Sequence, residues 1–553
     1  MCYTVPKKSE RMTAMKPTMP PPILTAAEMR ACDGHTIEDL GIPSRTLMER
    51  AARKAAAYLL ARTDLFPAGR VLLLCGGGNN GGDGFAMARF LTDGSMGDTR
   101  ACTVVYVGRL TLGGIPDEAR MSEECARQYR LAIQAKIPVR PATDLDSAWE
   151  GVTAVVDAVI GIGLERPVTG DLASLLLAVR DTGLPVLAMD IPSGVNADTG
   201  EILGVALPAA VTVTMQALKR GLLLYPGADI CGEILVCDLG IDLSPAEGTC
   251  ARLADDALLH CVRPPRGRRT HKGTYGRLAL LCGSEGMSGA AVLATRAALR
   301  TGVGLAHVLT PEANRPVLQI TVPEAIVSVY ASPDALSSVE ADALVLGCGL
   351  GTSALSREAL RALVDRAPAR SPLPAVLDAD ALNLLSADPS LWETSLLAAP
   401  DTPVVITPHP AEMARLCGKS IPEILASPVE TAQDYARAKR VTVVLKDAHT
   451  VIASPEGELY ICAAGNAGMA KGGSGDVLAG VIGALLTQCR ERLSSGLSVA
   501  AVAAAGVYLH AAAGDLAARA LGEYGMLASD VIERLPCVCR DCSDSTTKIA
   551  KSL

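Results

Sequence analysis

The sequence predicts an α/β protein of two domains, each a doubly wound parallel sheet. Three observations predict it. The chain has 553 residues, too many for one ordinary hydrophobic core. Short apolar runs alternate with helical patterns along most of its length, the signature of strands buried on both faces. Glycine-rich turns follow several of those runs, where doubly wound sheets place their ligands.

In the first half, helical periodicity covers roughly 26–40 and 46–62. Strands are expected at 70–75, 102–107, 153–159, 185–190, 210–215 and 233–237, with helices between them, as at 83–93 and 116–135. The alternation breaks around 240–272. The segment RPPRGRRTHKGTYG, basic and rich in glycine and proline, reads as a linker. The expected divisions are an N-terminal extension over 1–23, a first domain over 24–245, a linker over 246–270, a second domain over 271–536 and a polar tail over 537–553. In the second domain βα units restart at 276–284. Strands follow at 304–309, 342–347, 374–378, 403–406, 441–446 and 450–453, and helices near 475–488, 498–519 and 528–533.

Composition narrows the function classes. The chain is 49% hydrophobic and 20% charged, which is ordinary for a globular protein. Aromatics make up 3% and the net charge is −8, so neither stacking platforms nor a basic footprint for nucleic acid is expected. The first residues lack the apolar core of a secretory signal, and Met12 and Met15 are alternative starts. The apolar stretch LSVAAVAAAGVYLH reads as a buried helix, so a cytoplasmic protein without a membrane partner is expected. Seventeen scattered cysteines read as buried free thiols. Cys537, Cys539 and Cys542 cluster near the end without a fourth ligand close by. The large apolar fraction permits a homo-oligomer without requiring one.

Residues 72–90, LLLCGGGNNGGDGFAMARF, run from a strand into six glycines and then a helix. Gly76, Gly78 and Gly81 satisfy GxGxxG, and bare backbone at a strand-to-helix junction can cradle an anion. An ordinary dinucleotide site needs an acid at the end of the second strand; here that strand ends in Gly108 and Arg109. Asp157 and Asp190 end two further strands, and Ser193 follows the second. An oxygen-rich set of Asn80, Asp157 and Ser193 suits a hard cation.

GGGNNGGDG, DAVIGIG and DIPSG, in that order, resemble the epimerase domain of bifunctional NAD(P)H-hydrate repair enzymes, over about 24–245. That resemblance implies interconversion of the two C6 epimers of hydrated NADH or NADPH (NADHX and NADPHX). It implies substrate binding by Asn79, Asn80, Gly81, Gly82 and Asp83, by Gly161, Ile162, Gly163, Leu164, Glu165, Arg166 and Pro167, and by Asp190. It also implies potassium at Asn80, Asp157 and Ser193, with Asp190 moving the proton.

In the second half, NAGMAKGGSGDVLAGVIGALL places Gly472, Gly473 and Gly475 before a long apolar helix that opens near Asp476. Helix-terminal amides can hold developing phosphate charge, and a carboxylate beside them can accept a hydroxyl proton. The arrangement is not a Walker loop, since Met413 sits where the Gly418–Ser420 motif would need its first glycine. It resembles the ribokinase-like superfamily, and seven motifs narrow this to the ADP- or ATP-dependent NAD(P)H-hydrate dehydratase, over about 255–536. They are HKGTYGRLALLCGS, SGAAVLATRAALRTGVGL, GCGLG, LDADALN, TPHPAEMARL, VLKDAHTVI and AKGGSGD.

The resemblance implies nucleotide contacts at Lys446, Asp447, Ala448, His449 and Thr450 and at Gly472, Gly473 and Gly475. It implies substrate contacts at Ala290 or Ala291, Gly349, His409 and Asp476. Asp378 and Asp380 are either helix caps or helpers of water-bound Mg2+, and Lys471 is an added phosphate contact. In the implied reaction Asp476 activates the C6 hydroxyl of the S epimer. The terminal phosphoryl of ADP or ATP moves to that oxygen, and phosphate leaves to restore NAD(P)H. Two alternatives stand beside this reading: a ribokinase-like kinase of a small, vitamin-like alcohol, and a front domain that serves as a binding scaffold.

Overall fold

The computed structural model describes residues 20–145, 148–263, 266–336, 339–365, 373–399 and 402–540, together with the backbone of 549–550. Two parallel sheets organise them. In the first, Arg70–Gly76 lies at the centre. Cys102–Val107 and then Val139–Pro141 stand on one side. Val152–Ala158, Val186–Met189, Val211–Met215 and Glu233–Cys237 stand on the other. All these pairings are parallel. In chain order this is the 3-2-1-4-5-6 arrangement of dinucleotide-binding sheets with one strand added, so the switch point falls between Arg70–Gly76 and Val152–Ala158.

The second sheet has twelve strands. Arg277–Leu281 is flanked by Leu305–Thr310 and Ala343–Leu346, which again marks a switch point. Ala375–Leu377, Val404–Ile406 and Thr442–Leu445 continue in parallel, and Thr450–Ala453 and Leu459–Cys462 close as an antiparallel meander. Helices Ser288–Thr301 and Ser474–Leu493 pack on one face of this sheet against Val499–Leu521. Val499–Leu521 is long and apolar enough to cross a membrane, but 78% of its apolar window is buried among its neighbours. Cores on both faces of each sheet explain why the strand sequences are apolar at every position rather than at alternate ones.

The expected strands are found within a residue or two of their ends. The segment expected as a linker, however, carries the strand Ala251–Leu253 and the helix Asp256–Val262. Ala251–Leu253 pairs with Leu459–Cys462. Beyond it lie Pro22–Leu24 and then Leu218–Lys219, so the second sheet runs on into the first half of the chain. Ile191, Val195 and Leu222–Leu224 share one buried cluster with Leu344, Ile406 and Val443. Two- and three-residue strands carry too little periodicity to be read from sequence.

Every described cysteine is a free thiol. Cys537 and Cys539 lie in the last helix, Ala528–Arg540, while Cys542 falls outside the described residues.

Two candidate active sites

The glycines of the first loop do mostly structural work. None of the six has positive φ. A Cβ on Gly76 would stand 2.2 Å from the Val159 carbonyl oxygen, and one on Gly81 would stand 1.8 Å from that of Gly76. Gly82 and Gly84 are closed in by Met48 and by Ala158 and Cys75, each at 2.7 Å. Helix Asn79–Thr92 therefore begins four residues earlier than its sequence suggests, with Gly78 as its N-cap. Close packing by itself requires glycine at these four positions. The surface left for a ligand is the helix N-terminus at Gly78, Asn79 and Asn80, and a Cβ on Gly78 would meet nothing.

Asn80 is the telling residue there. Both its amide atoms are buried and lack a hydrogen-bond partner among the described residues. Asn79 instead accepts a bond from the Ser122 hydroxyl, at 2.6 Å. Across the switch point, a Cβ on Gly161 would lie 3.4 Å from Asn80 Cγ and 3.5 Å from Asp190 Oδ2. Asn80, Gly161 and Asp190 thus bound one gap. Of the residues that follow Gly161, Ile162 is half-buried, Gly163, Glu165, Arg166 and Pro167 are exposed, and Leu164 is buried. Asp157 is fully buried; it accepts from the Ser193 hydroxyl at 2.6 Å and the Ser193 amide at 2.8 Å. Burial pushes its carboxyl up, and these bonds only partly offset that.

Asp190 has φ +67°, a left-handed conformation uncommon outside glycine, held just past the strand end. Its Oδ1 accepts from Lys219 Nζ at 2.6 Å and from the Thr214 hydroxyl and the Met215 amide, each at 3.2 Å. Its Oδ2 takes no hydrogen bond among the described residues and faces the gap. Two more carboxyls sit nearby. Burial raises Asp83 well above its ordinary range, and it raises Asp33 to about 6 against the pull of Lys219. The sequence reading missed Asp33, Thr214 and Lys219. Within ALKRGLLL nothing distinguishes a buried lysine from a surface one.

In the second half, Gly473 caps helix Ser474–Leu493 with φ +94°, a conformation glycine takes without strain. A Cβ there would also strike Leu293, at 2.5 Å. Gly472 has open space, and a Cβ on Gly475 would meet Lys446 Nζ at 3.4 Å and Asp378 Oδ2 at 3.5 Å. Asp476 lies in the first turn, with ligating atoms of Cys348 and Asp378 within 4.8 Å. Burial pushes the Asp476 carboxyl up to about 6, helped by the neighbouring Asp378 and opposed by the Cys348 thiol and Lys446. A carboxyl titrating there suits a general base at neutral pH.

Lys446 is no plain surface lysine. Its ammonium contacts Asp378 at 2.7 Å and Glu412 at 3.9 Å. Burial pulls it down, but those two carboxylates reverse the shift and raise it. Asp378 also accepts from the Thr407 hydroxyl, at 2.8 Å. Asp380 opens a helix and accepts from the Gly351 amide, at 2.8 Å. Ala379 between them has φ +48°, the strained link that turns both carboxylates. Gly349, at φ +58°, packs so closely that a Cβ would be 2.7 Å from that of Ala290, whereas Ala291 is fully buried. Ala290 is therefore the member of that pair that borders Gly349.

Three further residues have protein partners of their own. The Lys471 ammonium donates to the carbonyls of Tyr524 and Met526, at 2.7 Å each, and so braces a loop instead of serving as a free phosphate contact. His409 caps helix Pro410–Cys417, its Nδ1 accepting from the amides of Ala411 and Glu412, while its Nε2 lies 3.5 Å from the buried Glu412 carboxylate. His449 turns to the first half: its Nδ1 lies 2.6 Å from the Leu223 carbonyl and its ring is 5.0 Å from that of Tyr225. Asp447, Ala448 and His449 line a cavity of about 590 Å³ together with Tyr225, Pro226 and Ile424, at the junction of the two halves. Thr450 stands just behind, at the start of its strand.

Comparison with known proteins matches both halves of the chain. A family model described as NAD(P)H-hydrate dehydratase matches residues 278–537, and one described as YjeF-related protein N-terminus matches 44–221. A bifunctional NAD(P)H-hydrate repair enzyme of Moorella thermoacetica is 35% identical, over 95% of this chain and 98% of its own length. One from Escherichia coli is also 35% identical, with 94% of each chain covered. Among solved structures, an ADP/ATP-dependent NAD(P)H-hydrate dehydratase from Bacillus subtilis, co-crystallised with ATP/Mg2+, is 29% identical. It covers 52% of this chain and 97% of its own, with a TM-score of 0.44. With two α/β units in this order and relatives matched over nearly their whole length, the chain belongs to the family of bifunctional NAD(P)H-hydrate repair enzymes.

Proposed function

We propose that this protein returns hydrated NADH and NADPH to the usable cofactors in two steps. The first half interconverts the R and S epimers at C6. The second half dehydrates the S epimer with ADP or ATP, releasing AMP or ADP together with phosphate. The observation that carries the reading is Asp476: a carboxyl raised to about 6, in the first turn of a glycine-capped helix, beside a lysine already neutralised by Asp378.

In the dehydratase half, Asp476 takes the proton of the C6 hydroxyl as that oxygen attacks the terminal phosphorus. The amides at Gly473 and Gly475, together with the helix dipole, hold the charge that gathers on the phosphoryl oxygens. Gly349 and the small Ala290 methyl give the substrate a flat wall, and the half-exposed His409 ring, backed by Glu412, offers it a polar contact. The base of the nucleotide fits the junction cavity beside Asp447–His449, with its phosphates running toward Lys446. Asp378 and Asp380 are engaged by protein donors, so they would hold a nucleotide-bound Mg2+ through water, where it would offset phosphate charge.

In the epimerase half, Asp190 Oδ2 faces the gap and moves the proton of the C6 hydroxyl as the C6–N1 bond opens and recloses. Asn80, Asp157 and Ser193 fit a potassium ion. The orphaned Asn80 amide oxygen needs a partner, and the buried Asp157 carboxyl lacks a cation among the described residues. Bound there, the ion would supply fixed positive charge. The chain's own groups orient the substrate and carry the proton.

The alternative reading, a kinase of a small alcohol, predicts a stable phosphorylated product. Incubation of the purified protein with S-NADHX and either nucleotide separates the two. Regained NADH absorbance with one free phosphate per NADH supports repair; a phosphorylated alcohol accumulating without NADH contradicts it. The same assay, run with each nucleotide, decides between ADP and ATP.

A further inference from the structure

We propose that Lys219 is the positioning residue of the epimerase site, fixing which oxygen of Asp190 meets the substrate. The inference rests on the epimerase reading of the first half. Lys219 is fully buried, and its ammonium reaches Asp190 Oδ1 at 2.6 Å, the Met215 carbonyl at 2.7 Å and the Thr214 hydroxyl at 3.0 Å. An ammonium has three protons to donate, and all three find acceptors here. The Thr214 hydroxyl and the Met215 amide join it on the same Asp190 oxygen. Oδ1 is therefore saturated by three donors, while Oδ2 is left toward the gap at Gly161 and Asn80.

Without the ammonium only the two 3.2 Å bonds from Thr214 and Met215 would resist rotation about Cβ–Cγ, a broad torsion with little intrinsic preference. With Asp33 and Asp83 nearby, a lone Asp190 charge would also lack a counter-ion. Lys219 meets both needs. Its own place is set by backbone: it ends the two-residue strand Leu218–Lys219, whose register pairs it with Leu24. That strand is the last of the twelve-stranded sheet, so the residue aiming the epimerase base hangs from the scaffold of the dehydratase half. Burying a lysine this completely is unfavourable unless it is paired, so a purely structural protein would gain more from an apolar residue here.

The test uses the full-length chain. Lys219→Ala and Lys219→Met are assayed for conversion of R-NADHX at saturating potassium, and for dehydration of S-NADHX in the same samples. The account expects epimerase kcat to fall about 100-fold with little change in KM, and dehydration to stay at the wild-type rate. Ethylammonium or propylammonium should restore kcat in Lys219→Ala at least tenfold and leave the wild type and Lys219→Met unaffected. Epimerase kcat within threefold of wild type in either variant overturns the proposal. So does a lost kcat that no alkylammonium restores while dehydration is intact. If Lys219→Ala does not fold, Lys219→Met, which keeps the length of the side chain, carries the kcat and KM comparison. A wild-type protein without epimerase activity would instead overturn the function assigned to the first half.

Discussion

The two halves present their acids in opposite ways. Asp190 sits in a left-handed backbone conformation and is clamped through one oxygen by a buried lysine. Asp476 sits in ordinary helix, and the lysine nearest its site, Lys446, is taken by Asp378. The first carboxylate is held by a counter-charge; the second is raised by burial and by the neighbouring Asp378. The roles proposed for the two acids explain the contrast. Epimerisation returns the proton to the same oxygen, so aim matters most. Phosphoryl transfer needs a base that gains its proton as the phosphorus is attacked, so a carboxyl raised toward neutrality serves better.

The largest effect that can break this comparison is Asp476→Asn. Dehydration should fall about 1,000-fold, with epimerisation measured in the same preparation unchanged. A loss in both activities would mean that the halves do not act separately.

The next is pH. Because Asp476 is raised to about 6, the dehydration rate should fall as pH drops through that value. The same shift fixes a stability effect. A carboxyl whose folded pKa exceeds its unfolded value binds its proton more tightly when folded. It therefore costs stability as pH rises from about 4 to 6, and the full cost remains above 6. Asp476→Asn should thus melt higher than the wild type at pH 7.5 and show no such gain at pH 4. Equal melting temperatures at both pH values would show that the carboxyl is not strained by burial.

A smaller effect belongs to Ser193, which ties down Asp157. Ser193→Ala should raise the potassium concentration for half-maximal epimerisation about tenfold and leave dehydration alone. Lys471→Ala is expected to do least. Its ammonium holds the Tyr524 and Met526 carbonyls, so the nucleotide KM should stay put while thermal stability drops slightly. A marked rise in nucleotide KM would restore Lys471 to the phosphate site.

Much of this architecture is legible in the amino-acid order. The long apolar strands and the helix after GGSGD declare themselves because burial on both faces leaves no alternation to misread. Asp157, Asp190 and Asp476 are visible because acids at strand ends and helix starts stand out from apolar neighbours. The glycine loop is less legible: Gly76 and Gly82 also answer to a carbonyl and a side chain far away in sequence, those of Val159 and Met48. Lys219, His510 and the three short strands joining the halves were hidden for the same reason. His510, pushed down to about 4 by burial, lies 3.4 Å from the Ser474 hydroxyl at the mouth of the catalytic helix. It reads in sequence as the end of an alanine-rich run. Contacts between distant segments leave no local pattern.

The central claim is that one chain carries two separable acids acting in series on the two epimers. It is tested most directly by giving Asp190→Asn an equilibrium mixture of R- and S-NADHX with excess nucleotide and following NADH absorbance. The account predicts that the wild type runs to completion, whereas the variant consumes the S fraction at the normal rate and then stalls. A variant that converts the whole mixture as fast as the wild type would contradict it.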